Sequence, residues 1–350
     1  MKMLSLVIIP WNSGLAAYAF DQALALRAAG HEVIIGSPAG SAADKFAAAS
    51  NFRHVNVPDH KHFGRFPSGF GRLFFFVRRE GVDAIVAHTG LAQTVGWLFR
   101  LFSPRLALVR VKADARPPAI GPTFAGVNKV ISASAHIEKM YLDAGLEPAL
   151  SVLIRQAIEV PPYEPPPAPA PFRVGILGRL DPVKGHEVFL RAAALSLKAG
   201  PGAEFHIAGE DCNVKRADLE RLAAELGIAE KVVFHGRLPD TLAFMRSCHA
   251  GVSASLGSEA VSRAALEWMA AGRPLVATSA GSLPEFTEPD LLVAPGDHAA
   301  MAGKLAGLAA DPLRAEALGR AARERAARDF SREAFVKATA AIFSAAPAGI

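Results

Sequence analysis

Cysteine is scarce in this chain, which has two, Cys212 and Cys248, among 350 residues. Two cysteines cannot form a disulfide framework, and neither has a histidine or a second cysteine at the spacing of a zinc site. We therefore expect buried free thiols. Long apolar runs are also absent, since none approaches the roughly 20 residues of a membrane span. The run Leu4–Pro10 is too short for a signal peptide, and we expect a cytoplasmic protein, at the inner face of the membrane if it has a membrane partner.

The chain also lacks the dinucleotide fingerprint G-x-G-x-x-G. The nearest match is Gly175-x-x-Gly178, which has the wrong spacing. A nicotinamide oxidoreductase is therefore not favoured, although apolar residues make up 51% of the chain and can form the cores of two domains.

Positive charge is concentrated in the first half of the chain. Residues 1–160 hold 17 Lys and Arg against 11 Asp and Glu, a net of +6. Residues 171–330 hold 19 against 20, a net of −1. Such an excess indicates an anionic or membrane-borne partner and carries no information about the fold. We expect no nucleic acid among the partners.

The densest basic stretch is His60–Arg79, in which basic and aromatic residues alternate irregularly. One interpretation is a helix at a membrane surface or an anion-binding loop. The other is an amphipathic helix with Phe70, Phe74 and Val77 facing the core and its arginines in water. The sequence leaves both open.

Apolar strands alternate with helical segments along the whole chain. Leu4–Pro10 is predicted to be a strand, and a helix from about Leu15 to Ala29 and a strand at Glu32–Gly36 follow it. The same pattern restarts at Arg173. Alternation of this kind indicates a parallel sheet with helices on both faces.

A proline-rich segment separates the two halves. Seven of the eleven residues Pro161–Pro171 are proline, which predicts a stiff extended linker. We therefore predict an α/β protein with two doubly wound, Rossmann-like domains that face each other across a cleft. The domains are residues 1–160 and 172–330, joined by the linker 161–171, and a helix within 331–350 is expected to return to the first domain.

Two carboxylates and two cations mark the second half. Glu259 follows the short strand at Ala250–Ser255, and Glu267 lies one to two turns inside the next helix. Both can border the crevice at the carboxyl ends of parallel strands, where carboxylates accept hydrogen bonds from hydroxyl groups. Arg179 and Lys184 follow the first strand of the half, beside Gly178, and are well placed to bind a diphosphate.

These residues carry a resemblance to a known family. The matching motifs are G-R-L-x3-K-G at 178–185, I-A-G at 207–209, V-x-F-x-G at 232–236, E-x7-E at 259–267 and G-S-L-P-E at 281–285. Together they resemble the donor domain of a family 4 glycosyltransferase with the GT-B architecture. The resemblance covers nearly all of 171–330, and it is weaker over the first half.

The resemblance implies a retaining glycosyltransferase that uses a nucleotide-diphosphate sugar and needs no metal or other cofactor. Arg179 and Lys184 would bind the diphosphate, Glu267 the ribose, and Glu259 the transferred sugar. The donor site would also include Gly14 in the first loop, Gly178, the backbone at Gly236 and Arg237, and the helix start at Ser262 and Arg263. No Asp-x-Asp metal motif occurs in the chain. The acceptor would be a glycan or glycolipid of the cell surface, such as lipopolysaccharide core or a polysaccharide intermediate.

On the acceptor side the resemblance is incomplete. His88 matches the second histidine of a family H-x-H, with Val86 in the first position, and is expected near the transferred sugar or the acceptor. Asp114 and Arg116 follow a strand of the first domain. Asp114 is either a catalytic base or part of a structural salt bridge.

The loop after Glu259 departs from the family pattern. Ala260-Val261-Ser262 replaces the usual Gly-Phe-Gly, and Arg263 follows. Arg263 either adds a third cation at the phosphates or points to solvent.

Two alternative functions stay open on the same fold. A nucleotide-sugar epimerase or hydrolase would need an acid/base pair, for which only His88 and Asp114 are candidates. A catalytically silent nucleotide-sugar-binding subunit is the other.

Overall fold

The structure, a computed structural model, describes residues 1–58, 66–200, 202–257 and 259–344. The chain divides into two compact units. Unit 1 comprises Met1–Ala157 and the segment that begins at Arg332, and unit 2 comprises Ile158–Ser331. The predicted linker, residues 161–171, falls within unit 2. Among the described helices, none is both long and apolar enough to cross a membrane.

Unit 1 contains a seven-stranded parallel sheet in the order β3-β2-β1-β4-β5-β6-β7. The strands are β1 (Lys2–Leu6), β2 (Glu32–Ser37), β3 (Arg53–Asn56), β4 (Ala84–Ala87), β5 (Ala107–Lys112), β6 (Lys129–Ser132) and β7 (Ser151–Leu153). The helices are α1 (Gly14–Ala28), α2 (Ala42–Ala49), α3 (Phe66–Glu80), α4 (Gly90–Phe102) and α5 (Ala135–Asp143). Strands β4 and β5 are buried along their whole length, as expected for a parallel sheet covered on both faces.

The last helix of the described chain belongs to unit 1. Helix α12 (Arg332–Ser344) packs on α1, and Phe335 meets Tyr18 edge to face with ring centroids 5.4 Å apart. The Tyr18 hydroxyl donates to the carbonyl of Ile154 at 2.8 Å. A segment that follows unit 2 in the sequence therefore completes the core of unit 1.

The basic and aromatic stretch forms α3 over its second part, and residues 59–65 lie outside the described residues. Leu73 and Val77 are buried, and the Phe74 ring packs against Phe99 at 5.3 Å. The helix is thus amphipathic with its arginines in water. Phe75, however, faces solvent and is 72% exposed.

Unit 2 contains a six-stranded parallel sheet in the order β10-β9-β8-β11-β12-β13. The strands are β8 (Phe172–Leu177), β9 (Ala203–Ala208), β10 (Val232–Gly236), β11 (Ala250–Ser253), β12 (Leu275–Thr278) and β13 (Leu292–Val293). The helices are α6 (His186–Ala199), α7 (Arg216–Glu225), α8 (Thr241–Arg246), α9 (Arg263–Ala270), α10 (His298–Ala310) and α11 (Pro312–Asp329). Two parallel α/β sheets confirm the predicted fold class.

Arginines elsewhere in unit 2 hold the proline-rich segment 161–171 in place. Proline has no N–H, so such a segment offers mainly carbonyl acceptors. Arg273 is fully buried and donates to the carbonyls of Glu164 and Pro165 at 3.0 and 3.3 Å. Arg323 donates to Pro161, and Arg246 to the next carbonyl along the chain at 2.7 Å. The segment is therefore ordered by donors that the rest of unit 2 supplies.

Candidate functional site

The loop after β8 is folded tightly against its neighbours. Gly209, which follows β9, approaches the carbonyl of Gly178 so closely that a Cβ on it would lie 1.8 Å from the oxygen. Gly185 has φ +70°, and a Cβ there would lie 1.9 Å from the carbonyl oxygen of Ala254. Side chains are excluded at both positions. The backbone of the 178–185 loop is thus fixed at the carboxyl ends of β8, β9 and β11.

The two predicted phosphate cations differ in their partners. Lys184 Nζ lies 2.5 Å from Glu259 Oε1, although the two residues are 75 positions apart in the chain. Arg179 is exposed, and within the described residues it has no hydrogen bond or ion pair. Asp181 accepts from the N–H of Val183 at 3.1 Å, and this bond lowers the pKa of its carboxyl. The loop therefore presents one free cation and one that is paired with a carboxylate.

Glu259 is held by several neighbours at once. Its side chain is 5% exposed, and the same oxygen that contacts Lys184 accepts from the Ser255 hydroxyl at 2.5 Å. Its carbonyl accepts from the N–H of Ser282 at 2.8 Å, and Gly281 lies too close to it for any Cβ. The sequence does not identify Ser255, because a serine two residues beyond a short strand belongs to no motif. Its position four residues before the glutamate is the only signal.

Glu267 pairs with the cation one turn before it. Arg263 Nε lies 3.1 Å from Glu267 Oε1, and the Arg263 side chain is 53% exposed, so its guanidinium lies at the surface and pairs with Glu267. This i,i+4 contact is one that any helix offers. Burial raises the pKa of the Glu267 carboxyl, and Arg263 opposes that rise. Glu267 also lines a cavity of about 350 Å³ together with Thr241, Leu242 and Met245.

The remaining donor residues lie on neighbouring strand ends. Gly236 closes β10 with φ +67°, and its carbonyl accepts from the N–H of Gly209 at 2.8 Å. Arg237 is exposed and pairs with Glu210 at 2.9 Å. Ser262 is the residue before α9, and its side chain makes no capping hydrogen bond. The N–H groups of the first turn of α9 therefore have no side-chain cap.

In unit 1 His88 lies directly after β4. It is 1% exposed, its Nε2 is 3.1 Å from the Ser5 hydroxyl, and its Nδ1 has no hydrogen-bond partner among the described residues. Burial, with a smaller contribution from the Arg110 guanidinium, lowers the pKa of His88 to about 3. The imidazole is therefore neutral at ordinary pH. It can exchange hydrogen bonds but cannot supply a positive charge.

Asp114 is paired with a buried lysine. Lys112 Nζ lies 2.6 Å from Asp114 Oδ1, and the same oxygen accepts from the N–H of Arg116 at 3.0 Å. Burial lowers the pKa of Lys112, and Asp114 opposes this. Of the two predicted roles for Asp114, the structure displays the salt bridge. Among the described contacts none joins Asp114 to His88.

Gly14 is the first residue of α1. Ser13 precedes it and accepts from the N–H of Ala16 at 3.3 Å, which caps the helix. Gly14 is exposed and has open space around its Cα. It lies at the carboxyl end of β1, the strand next to the one that His88 follows.

Two family models match the chain. One is described as Glycosyl transferases group 1 and matches residues 171–311. The other is described as Glycosyl transferase 4-like domain and matches residues 13–149. Between them they include every motif and every site residue described above.

Curated relatives match over part of their length. The D-inositol 3-phosphate glycosyltransferase of Acidothermus cellulolyticus is 31% identical over 274 residues, which are 67% of this chain and 61% of the relative. The 2-deoxystreptamine glucosyltransferase of Streptomyces kanamyceticus is 33% identical over 162 residues, which are 45% of this chain and 41% of the relative. The chain thus spans less than two thirds of either relative.

Solved structures match over nearly the whole chain. Anabaena HepE in complex with UDP has a TM-score of 0.86 at 20% identity, covering 99% of this chain and 100% of that one. The lipopolysaccharide outer core galactosyltransferase WaaB has a TM-score of 0.82 at 15% identity, covering 98% and 99%. At these identities the likeness shows a shared fold.

Proposed function

This chain belongs to the group 1 glycosyltransferases, and we propose that it moves a sugar from a nucleotide-diphosphate sugar to a cell-surface glycan or lipid-linked acceptor. We propose further that transfer retains the anomeric configuration and needs no metal ion. One contact carries the proposal: Lys184 and Glu259, from two separate motifs, meet at the carboxyl ends of neighbouring strands. Parallel α/β sheets bind their ligands at that edge.

In this proposal the donor diphosphate binds to the loop after β8. Arg179, which is unpaired there, takes one phosphate, and Lys184 turns from Glu259 to the other. The uncapped N–H groups at Ser262 and Arg263 add hydrogen bonds to phosphate oxygens, as helix N-termini do. As the glycosidic bond breaks, negative charge grows on the leaving diphosphate. Fixed cations and a helix dipole stabilise that charge.

We assign the ribose, the base and the transferred sugar of the donor to residues at the same edge of the unit 2 sheet. Glu267 accepts hydrogen bonds from the ribose hydroxyls once Arg263 moves aside, and the backbone at Gly236 and Arg237 faces the base. Glu259 accepts hydrogen bonds from the transferred sugar. Ser255 keeps the Glu259 carboxylate in place when Lys184 leaves it.

The acceptor is assigned to unit 1. Neutral His88 has an Nδ1 with no partner among the described residues, and it can bond a hydroxyl of the sugar or acceptor once ligand binding opens its buried surroundings. Gly14 leaves the start of α1 open, and Arg116 offers an exposed cation to an anionic acceptor. The acceptor hydroxyl attacks the face from which the diphosphate departs, and a leaving phosphate oxygen takes its proton. Asp114 stays with Lys112 and positions the loop that bears Arg116.

Calorimetry and thermal shift with UDP, GDP and ADP test the donor site. The HepE structure contains UDP, so UDP is tried first. A nucleotide at about 100 times its dissociation constant should add about 2.7 kcal/mol of stability to the wild type. The double variant Arg179→Ala/Lys184→Ala should lose this shift. A sugar donor with the same base is then used to establish the anomeric configuration of the product by NMR.

The control is Arg191→Ala/Lys198→Ala, which removes two exposed cations from α6 in the same unit. It should bind the nucleotide as the wild type does. Equal nucleotide affinity in the wild type and in the Arg179→Ala/Lys184→Ala variant would remove the loop after β8 from the donor site. An inverted product would overturn the proposed retention.

A further inference from the structure

Helix α3 presents an aromatic side chain on its polar face. Arg72, Phe75 and Arg79 are spaced so that they lie on one side of the helix, opposite the buried Leu73 and Val77. Phe75 is 72% exposed. The Phe75 side chain, which lies between two arginines on the polar face, therefore does not contribute to the core of unit 1.

The end of α4 extends this surface. Leu101 and Phe102 are 58% and 64% exposed. The Phe74 ring lies between the helices, with its centroid 6.1 Å from that of Phe75 and 5.8 Å from that of Phe102. Phe75 and Phe102 thus flank one ring and form a single apolar surface. Among the phenylalanines whose side chains the structure describes, these two are the most exposed.

The charges around these side chains are positive. Arg72, Arg78 and Arg79 are exposed, and the Arg78 guanidinium lies 5.9 Å from the Phe74 centroid. Glu80, on the same helix, is held by two nitrogens of Arg53 at 2.7 and 2.9 Å and also contacts a nitrogen of Arg79 at 3.3 Å. Its single negative charge is shared between two arginines, so Arg72, Arg78 and Arg79 together keep a positive net charge. We call the six residues Arg72, Phe75, Arg78, Arg79, Leu101 and Phe102 the aromatic–arginine surface.

We propose that the aromatic–arginine surface docks on an anionic lipid bilayer. Exposed aromatic and aliphatic side chains enter the boundary between headgroups and acyl chains, and arginines beside them attract anionic headgroups. A second copy of the chain fits less well, since self-association across a twofold axis would bring the arginines of the two surfaces together. The proposal deepens the assignment of a membrane-borne acceptor, and it does not depend on the donor site.

Vesicle sedimentation tests the proposal. Vesicles of equal parts phosphatidylcholine and phosphatidylglycerol should bind the protein, and pure phosphatidylcholine vesicles should bind it at least tenfold less. Two variants separate the contributions: Phe75→Ser/Leu101→Ser/Phe102→Ser removes the apolar part, and Arg72→Gln/Arg78→Gln/Arg79→Gln the charged part. Each should weaken binding about tenfold or more. Added salt should weaken binding of the wild type.

The matched control is Leu142→Ser/Leu313→Ser, which removes two exposed leucines elsewhere and should bind vesicles like the wild type. A Phe75→Trp variant adds a direct readout: its emission should shift to shorter wavelength on vesicles and be quenched by brominated lipid. Nucleotide affinity should be unchanged in all of these variants, so failure here and failure of the donor site are distinguishable.

Two results would overturn the proposal. One is vesicle binding that is equal in the wild type and both surface variants. The other is a wild type that does not bind vesicles and is dimeric by light scattering. In that case the Phe75→Ser/Leu101→Ser/Phe102→Ser variant would be monomeric. The second result would assign the surface to another copy of this chain.

Discussion

At Glu259 the side chain and the backbone are fixed by different partners. Lys184 and Ser255 share one carboxylate oxygen, and Ser282 binds the carbonyl. A charge at 5% exposure needs such partners, because an unpaired buried carboxylate is costly. In the proposed donor complex the same pairing opposes ligand binding, since the diphosphate would have to draw Lys184 away from Glu259.

Glu259→Gln should therefore separate binding from transfer. The amide keeps the shape of the side chain and loses the charge that holds Lys184. We expect a nucleoside diphosphate to bind as tightly as in the wild type, or up to about tenfold more tightly, a gain of about 1.4 kcal/mol. Sugar transfer should fall by two orders of magnitude or more, because the proposed contact with the sugar is altered. Calorimetry and product formation measure the two effects.

Ser255→Ala is the companion variant, because it removes the second partner of the carboxylate and leaves the Lys184 contact. Its nucleotide affinity should stay close to that of the wild type. If Glu259→Gln instead weakens nucleotide binding as much as Lys184→Ala does, the pair is part of the binding site as a unit, and competition between Glu259 and the diphosphate is wrong.

The sequence identifies the charged residues of unit 2 better than their partners. Motif spacing locates Lys184, Glu259 and Glu267, because a motif fixes both residue type and order. It does not locate Ser255, whose role depends on where a buried strand ends. The pairing of Arg263 with Glu267 follows from helical spacing alone. The family pattern instead suggests that Arg263 binds a phosphate.

At the scale of the element, glycines set how closely the strand ends of unit 2 approach one another. Gly209 lies against the carbonyl of Gly178 with φ +158°, and Gly281 lies against that of Glu259. Backbone contacts of this kind fix the position of a loop without the help of side-chain contacts. The 178–185 loop is therefore packed directly against the sheet edge to which it is joined.

Gly209→Ala should displace that loop. The new Cβ meets a backbone oxygen, which cannot yield as the end of a side chain can. We expect a loss of about 1–3 kcal/mol in the free energy of unfolding, as for overpacked sites, together with weaker nucleotide binding. Denaturant unfolding and calorimetry measure both. The control is Gly307→Ala in α10, where the Cβ meets open space and should add about 0.5–1 kcal/mol. Unchanged stability and affinity of Gly209→Ala would contradict the argument.

The elements that the sequence predicts are those with long apolar periodicity. Strands β3 and β7 are not predicted, because both are short, lie at the edges of their sheet and have no buried residue. The strand predicted at Leu4–Pro10 ends at Leu6, although Val7 and Ile8 are buried. Burial continues into the loop there, so apolar composition overstates the length of the strand.

At the scale of the whole molecule, the division into units does not follow the order of the chain. Unit 2 is one continuous segment, whereas unit 1 is made from two segments that unit 2 separates. The contact of Phe335 with Tyr18 joins these two segments across more than 300 positions. The sequence predicts that a helix within 331–350 returns to the first domain, and α12 belongs to unit 1.

Phe335→Ala should destabilise unit 1 alone. The side chain is buried against α1, and its loss leaves a cavity worth about 3–5 kcal/mol. Hydrogen exchange should show weaker protection in α1 and in the unit 1 sheet, and unaltered protection in unit 2. Leu313→Ala in α11 is the control, since that side chain is 80% exposed and its loss should change stability by less than about 0.5 kcal/mol. Equal loss of protection in both units would show that they unfold together.

The position of α12 also limits when unit 1 can be completed during synthesis. Domains generally fold as units during synthesis, beginning with the N-terminal one. Here the first unit to be translated lacks the helix that covers α1 until all of unit 2 has been made. Unit 2 can therefore complete its fold before unit 1 does, and the face of α1 that α12 covers stays uncovered until α12 has been translated.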